Sequence, residues 1–140
     1  MELAAIPEKA NLNIALIGHG KMGRAIAELA PERGFNVRLI LTAESNRDGN
    51  GISKANFDGI DVAIDFTAPA AAVENIRRIA ALGTSMVVGT TGWHGRLDEV
   101  RSVVESGGAG VVYAANFSIG VQVFYRVARA AAEAFAKFPD

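Results

Sequence analysis

Residues Ile14 to Ile26 read IALIGHGKMGRAI: an apolar run, three glycines spaced G-x-G-x-x-G, and a segment able to open a helix. Few local patterns restrict a fold more. A chain that leaves a buried strand through such a turn and enters a helix at once returns beside that strand by a crossover, which builds a parallel sheet. The rest of the sequence repeats the alternation. Apolar runs over Leu12–Ile17, Val37–Thr42, Val62–Phe66, Ser85–Val88 and Gly110–Ala114 are rich in Val and Ile, with little polar alternation, as strands buried on both faces are. Between them Val73, Ile76 and Ala80 recur at helical spacing, with Glu74, Arg77 and Arg78 on the other side, and Leu97, Val100, Val103 and Val104 form a second stripe. Gly34 and Gly83 stand where helices end, and Pro31, which lacks an N–H, kinks or shortens the first helix. This order predicts an α/β, doubly wound parallel sheet with helices on both faces.

Two segments depart from the alternation. Ala43 to Gly59, AESNRDGNGISKANFDG, is polar and glycine-rich and reads as a mobile connection with at most a short extra strand or turn. Ser118 to Phe138 reads as one long helix capped by Ser118, with Ile119, Val123, Val127, Ala131, Ala134 and Phe138 along one face. Its alanine-rich stripe suggests close packing on its own sheet.

Composition narrows the partners. The chain has 140 residues, half of them apolar, enough for one domain with a real core. Fourteen basic residues against fifteen acidic ones provide no field for nucleic acid or an anionic membrane, so a small molecule is the expected partner. The absence of cysteine excludes a disulfide scaffold or a thiolate metal site and suits a reducing cytoplasm. No metal site is expected. Residues 1–11 read as a short extension, neither secretory signal nor anchor, and no apolar run approaches the roughly 18 to 20 residues of a membrane span.

Gly18, Gly20 and Gly23 are spaced for a sharp turn, for close approach of backbone to phosphate, and for close packing of helix on strand, in that order. The first amides of the following helix would then bind a pyrophosphate. The fold expected is Rossmann-like, and the loop Gly18, His19, Gly20, Lys21, Met22, Gly23 is the expected phosphate cradle. A carboxylate about 20 residues on can accept the adenosine ribose hydroxyls. Glu44 stands 21 beyond Gly23, and Arg47 nearby could hold a 2′-phosphate. The other strand ends carry DFTAP, VVGTTGW and AANFSIG, all on the rim where open parallel sheets bind ligands. Thr67, Thr90 and Thr91 offer hydroxyls there, Gly89 and Gly92 offer close backbone, and Asn116 and Phe117 offer an amide and a flat ring.

With GHGKMGRA, VAIDFTAP, VVGTTGW and AANFSIGV in that order, the chain after Asn13 resembles the N-terminal part of the 4-hydroxy-tetrahydrodipicolinate (dihydrodipicolinate) reductase family of lysine and diaminopimelate biosynthesis. The resemblance implies reduction of a cyclic unsaturated dicarboxylate by NADH or NADPH. It also implies pyrophosphate at Gly18 to Gly23, ribose at Glu44, and nicotinamide near Phe66, Thr67, Gly89, Thr90, Thr91, Ala114, Ala115, Asn116 and Phe117. Ser45 and Ala68 stand where many members place basic residues, which tilts the expectation toward NADH, while Arg47 or Lys21 keep NADPH open. The glycine turn is one residue shorter than usual in the family.

The family's paired-histidine and P-S-G-T segments do not occur here. The two histidines are His19, in the turn, and His94, expected to be solvent-exposed, so no catalytic residue is assigned in this chain. The expected division is 1–11 extension, 12–117 dinucleotide-binding domain and 118–140 helix toward a substrate domain. On this reading the chain binds cofactor without turning over substrate, closes at a hinge near Asn116 to Gly120 in the complete enzyme, and belongs to a family of tetramers. Two other readings stay open: a homoserine- or aldose-type dehydrogenase, and a non-catalytic dinucleotide sensor that dimerises through its last helix.

Overall fold

The computed structural model describes residues 11–138, so the expected N-terminal extension lies, but for Asn11, outside the described residues. Five parallel strands form one sheet in the order β2-β1-β3-β4-β5. They are β1 (Leu12–Ile17), β2 (Phe35–Leu41), β3 (Val62–Asp65), β4 (Ser85–Val88) and β5 (Val111–Tyr113). The helices are α1 (Lys21–Leu29), α2 (Pro69–Ala81), α3 (Leu97–Gly107) and α4 (Ile119–Phe135). The doubly wound fold read from the alternation is therefore the fold observed.

Strand β1 explains the lack of polar alternation. Its Ile14 and Leu16 pack with Ile26, Ala27 and Ala30 on the α1 side, while Ala15 and Ile17 enter the larger core with Val73, Ile76 and Ile79 of α2 and Val100 of α3. Both faces are covered, so both must be apolar. After β1 the chain winds to one side, toward β2, and then returns to the other, toward β3. The sheet's order reverses there, and a crevice opens between the carboxyl ends of β1 and β3.

Local details follow from backbone chemistry. Pro31 begins a short 3-10 turn over Pro31–Arg33 that ends on Gly34 at φ 79°, so it shortens α1 as expected. Gly83, at φ 73°, follows the end of α2. Strand β2 starts two residues earlier than its apolar run, because Phe35 and Asn36 pair with Leu12 and Asn13 and a bulge absorbs Arg38.

The connection Ala43 to Gly59 is not the loose segment its composition suggests. Ile52 and Phe57 are buried in the main core, and Asn46 and Gly49 are hydrogen-bonded to Asn75 and Arg78 of α2. No strand forms in it; two isolated apolar side chains pin a series of turns. Helix α4 is the second correction. All its residues but Val121 are exposed, so its apolar face does not pack on the sheet. Ser118 occupies the N-cap position, but its side chain makes no capping bond.

Candidate functional site

The turn after β1 uses each glycine differently. Gly18 adopts φ 95°, its N–H donates to the Leu41 carbonyl at 2.8 Å, and a Cβ there would collide with the Phe66 carbonyl. A Cβ on Gly23 would collide with the Gly18 carbonyl, so α1 packs against the turn only because this position is bare. Gly20 is the opposite case: a Cβ there would meet nothing within 4 Å. Gly20 is also the N-cap of α1, without a side-chain cap or an acidic residue in the first turn. The first intrahelical bond runs from Arg24 N–H to the Gly20 carbonyl, so the preceding amides have no acceptor within the helix. Open space therefore lies over a bare helix N-terminus, as an anion requires.

That space belongs to a crevice of about 740 Å³, within the range of small-molecule sites. One wall is the glycine turn with Gly18, His19 and Gly20; another is the turn after β2, with Thr42, Ala43, Asn46, Arg47 and Asp48; the third is Phe66, Thr67, Ala68, Ala71 and Asn75. Arg24 also lines it, its Nε donating to the His19 carbonyl at 3.1 Å. Thr42 and Ser45 cap each other, Thr42 N–H donating to Ser45 Oγ at 2.9 Å and Ser45 N–H to Thr42 Oγ1 at 3.1 Å. Glu44 is exposed on this turn and does not line the crevice. Asp48, at φ 55°, is the one non-glycine residue with positive φ among the described residues.

The ends of β3 and β4 meet on a buried carboxylate. Asp65, fully buried, accepts from Thr67 N–H at 3.0 Å, Thr67 Oγ1 at 2.8 Å and Thr90 Oγ1 at 2.7 Å on one oxygen, and from Asn75 Nδ2 at 2.9 Å on the other. The hydroxyls of Thr67 and Thr90, read from sequence as pointing to a ligand, are thus turned inward. The Phe66 ring covers Gly89, where a Cβ would collide with it. Trp93 is buried and its Nε1 donates to the Thr90 carbonyl at 2.7 Å. His94 is half-buried, not freely exposed, because its ring sits 4.9 Å from Trp93 and 5.6 Å from Tyr113.

Of the residues singled out in the sequence, Gly18, His19, Gly20, Arg47, Phe66 and Thr67 come together around the crevice. Gly23 is buried behind the turn, and Lys21 and Met22 are exposed on α1 beside it. Gly89, Thr90, Thr91, Ala114, Ala115, Asn116 and Phe117 follow β4 and β5 and do not line it. Asn116 folds on itself, its side-chain oxygen accepting from Ser118 N–H at 2.8 Å. Crevice residues that had not been singled out include three with polar or charged side chains, Arg24, Asn46 and Asn75, along with Asp48. Arg24 directly follows the third glycine, and Asn75 is the one amide in the buried stripe of α2; both were visible signals. The described residues hold no cluster of three or more His, Cys, Asp or Glu able to hold a metal, and no helix long and apolar enough to cross a membrane.

Glycine turns of this kind serve several dehydrogenase families, and sequence comparison separates them. Residues 12–117 match the family model described as dihydrodipicolinate reductase, N-terminus. The chain belongs to the dihydrodipicolinate reductase family. Curated relatives include the 4-hydroxy-tetrahydrodipicolinate reductase of Christiangramia forsetii, 37% identical over 83% of this chain and 46% of the relative. That of Psychrobacter arcticus is 30% identical over 94% of this chain and 54% of the relative. The chain thus spans about half the length of these relatives. Among solved structures, an engineered D-amino acid dehydrogenase superposes with a TM-score of 0.64 at 19% identity, covering 87% of this chain and 41% of that one. A putative homoserine dehydrogenase from Archaeoglobus fulgidus gives 0.55 at 19% identity, covering 73% and 42%. At such identities the likeness is one of fold.

Proposed function

We propose that the chain is the NAD(P)H-binding part of a reductase of lysine and diaminopimelate biosynthesis, which passes hydride to a cyclic unsaturated dicarboxylate. The observation that carries this reading is the open space over Gly20 at the uncapped start of α1, inside the crevice where the strand order reverses. Family membership supports the reductase assignment, and the engineered dehydrogenase of the same fold was solved with NADP+ bound. When bound, the dinucleotide supplies the hydride.

The residues of this chain bind and orient. Amides of the Gly18 to Gly23 turn hold the pyrophosphate, with Lys21 and Met22 on its outer side. The turn after β2 holds adenosine, with Glu44 on the ribose. Phe66, Thr67, Gly89, Thr90, Thr91 and the segment Ala114 to Phe117 position the nicotinamide, mainly through backbone groups, since the Thr67 and Thr90 hydroxyls already serve Asp65. No residue here is assigned as general acid: His19 is exposed in the turn and His94 is held among aromatic rings. By itself the chain binds cofactor and leaves substrate unchanged. Residues 12–117 form the binding unit, and 118–140 connect it to a substrate-binding part, with closure near Asn116 to Gly120 and a tetramer as the complete assembly.

Both cofactors are accepted on this reading. Glu44 favours NADH, whereas Arg24 and Arg47, both lining the crevice, offer cationic partners to a 2′-phosphate. Calorimetric titration with each tests this. Dissociation constants within about tenfold of each other are expected, with NADPH the more weakened by added salt. Absence of binding by both would end the reading.

A further inference from the structure

Buried and half-buried side chains along the wall and floor of the crevice form one hydrogen-bonded series. Asn46, in the turn after β2, donates through Nδ2 to Asn75 Oδ1 at 3.1 Å; Asn75 Nδ2 donates to Asp65 Oδ2 at 2.9 Å; and Asp65 Oδ1 gathers Thr67 and Thr90. Since β2 and β4 flank β1 and β3 in the sheet, this series runs from the turn after β2 to the end of β4. Its direction is set at one end. Asp65 accepts in each of these bonds, so Asn75 turns its NH2 toward Asp65 and its oxygen toward Asn46, which presents its own NH2. The leftover Asn46 oxygen lies against Gly51 and is the one buried side-chain polar atom found without a partner among the described residues.

Asn75 is an unusual occupant of its position. It is 2% exposed in a helical row otherwise made of Ala72, Val73, Ile76, Ile79 and Ala80. An amide there costs desolvation unless both its ends are partnered, which they are. We propose that Asn75 is a positioning residue that couples the adenosine end of the crevice to the nicotinamide end, transmitting ligand contact at the Asn46 turn through Asp65 to the Thr67 and Thr90 segments. The inference rests on the dinucleotide reading above. It goes beyond that reading by making the two halves of the cofactor bind cooperatively.

The molecule contains its own reporter. Trp93 is the single tryptophan, and its indole N–H is bonded to the Thr90 carbonyl. The chain is titrated with ADP, which reaches only the adenosine and pyrophosphate part, while calorimetry follows binding and emission follows Trp93. In the wild-type chain ADP changes the Trp93 emission. In Asn75→Leu, saturating ADP leaves Trp93 silent, and NADH affinity falls about tenfold. Asp65→Asn sets two amide NH2 groups against each other, and Asn75→Asp sets two carboxylates against each other. Combined, they exchange carboxylate and amide, so the series re-forms with one bond reversed and the Trp93 response returns. A purely structural role would lower the melting temperature of the variants without separating ADP binding from the Trp93 response.

Because a single variant can fail to fold, the wild-type chain and the exchanged pair decide. ADP binding that leaves wild-type Trp93 emission unchanged, or a double variant that melts cooperatively, binds ADP and stays silent, overturns the coupling and leaves the dinucleotide reading standing. Failure of ADP and NADH alike to bind removes both.

Discussion

In α2 the stripe Ala72, Val73, Ile76, Ile79 and Ala80 is buried against the sheet, whereas in α4 Ile119, Val123, Phe124, Tyr125 and Val127 are each more than half exposed. Both stripes have helical period, and α4 is the longer and more apolar helix. What differs is what faces them. Helix α2 lies over the strands of a sheet that needs covering, while α4 leaves the last strand with none of its residues buried. Periodicity reports that a face is apolar; it does not report which surface covers it.

That contrast can be broken from both sides. The largest effect is expected from Gly23→Val, since even a Cβ at this position runs into the Gly18 carbonyl and the helix must move off the turn. A loss of about 4 kcal/mol in chemical denaturation is expected, together with loss of NADH binding. Phe57→Ala comes next. If the connection after β2 is anchored by this 6% exposed ring, removing it costs about 3 kcal/mol; a loosely attached loop would give almost no change. On the other side of the comparison, Ile119→Gln with Phe124→Gln should alter the stability of this chain by less than about 0.5 kcal/mol, because both side chains are already in solvent. A large loss would show that α4 is covered in solution.

The smallest effect concerns α3. The hydrogen bond from Arg96, strengthened by the charges of Arg96 and Arg77, holds the Glu99 carboxyl below its ordinary range despite some opposing desolvation. A carboxyl lowered by folding stabilises at pH above its unfolded value and loses that contribution as pH falls through its folded value. Glu99→Gln should therefore melt slightly lower than the wild type at neutral pH and converge with it in acid. A gap that widens in acid would reverse the sign.

Much of this was legible in the sequence, and the misses share a cause. The strands appear within about two residues of their apolar runs, since a strand buried on both faces has to be apolar throughout. The three glycines could be assigned separate geometric tasks because each task is local. Burial that depends on distant partners was not legible. Ile52 and Phe57 are single apolar residues in polar surroundings, and nothing near them in sequence shows that the core receives them. The Thr67 and Thr90 hydroxyls looked free until Asp65 proved to be fully buried between them. His94 looked exposed until the end of β5 brought Tyr113 beside it. Asn75 could have been noticed as an amide in an apolar row, but its partners, Asn46 and Asp65, come from two other segments of the chain.

The most direct test is calorimetric titration of NADH into the wild-type chain and into Gly20→Val. Gly20 has extended backbone at φ −78° and open space where a side chain would go, so valine is tolerated by the fold and enters the crevice. Unchanged melting with a loss of NADH affinity of about a hundredfold is the predicted result, the size of a lost phosphate contact set plus a steric block. Equal affinity in the two proteins would show that the turn after β1 holds no cofactor.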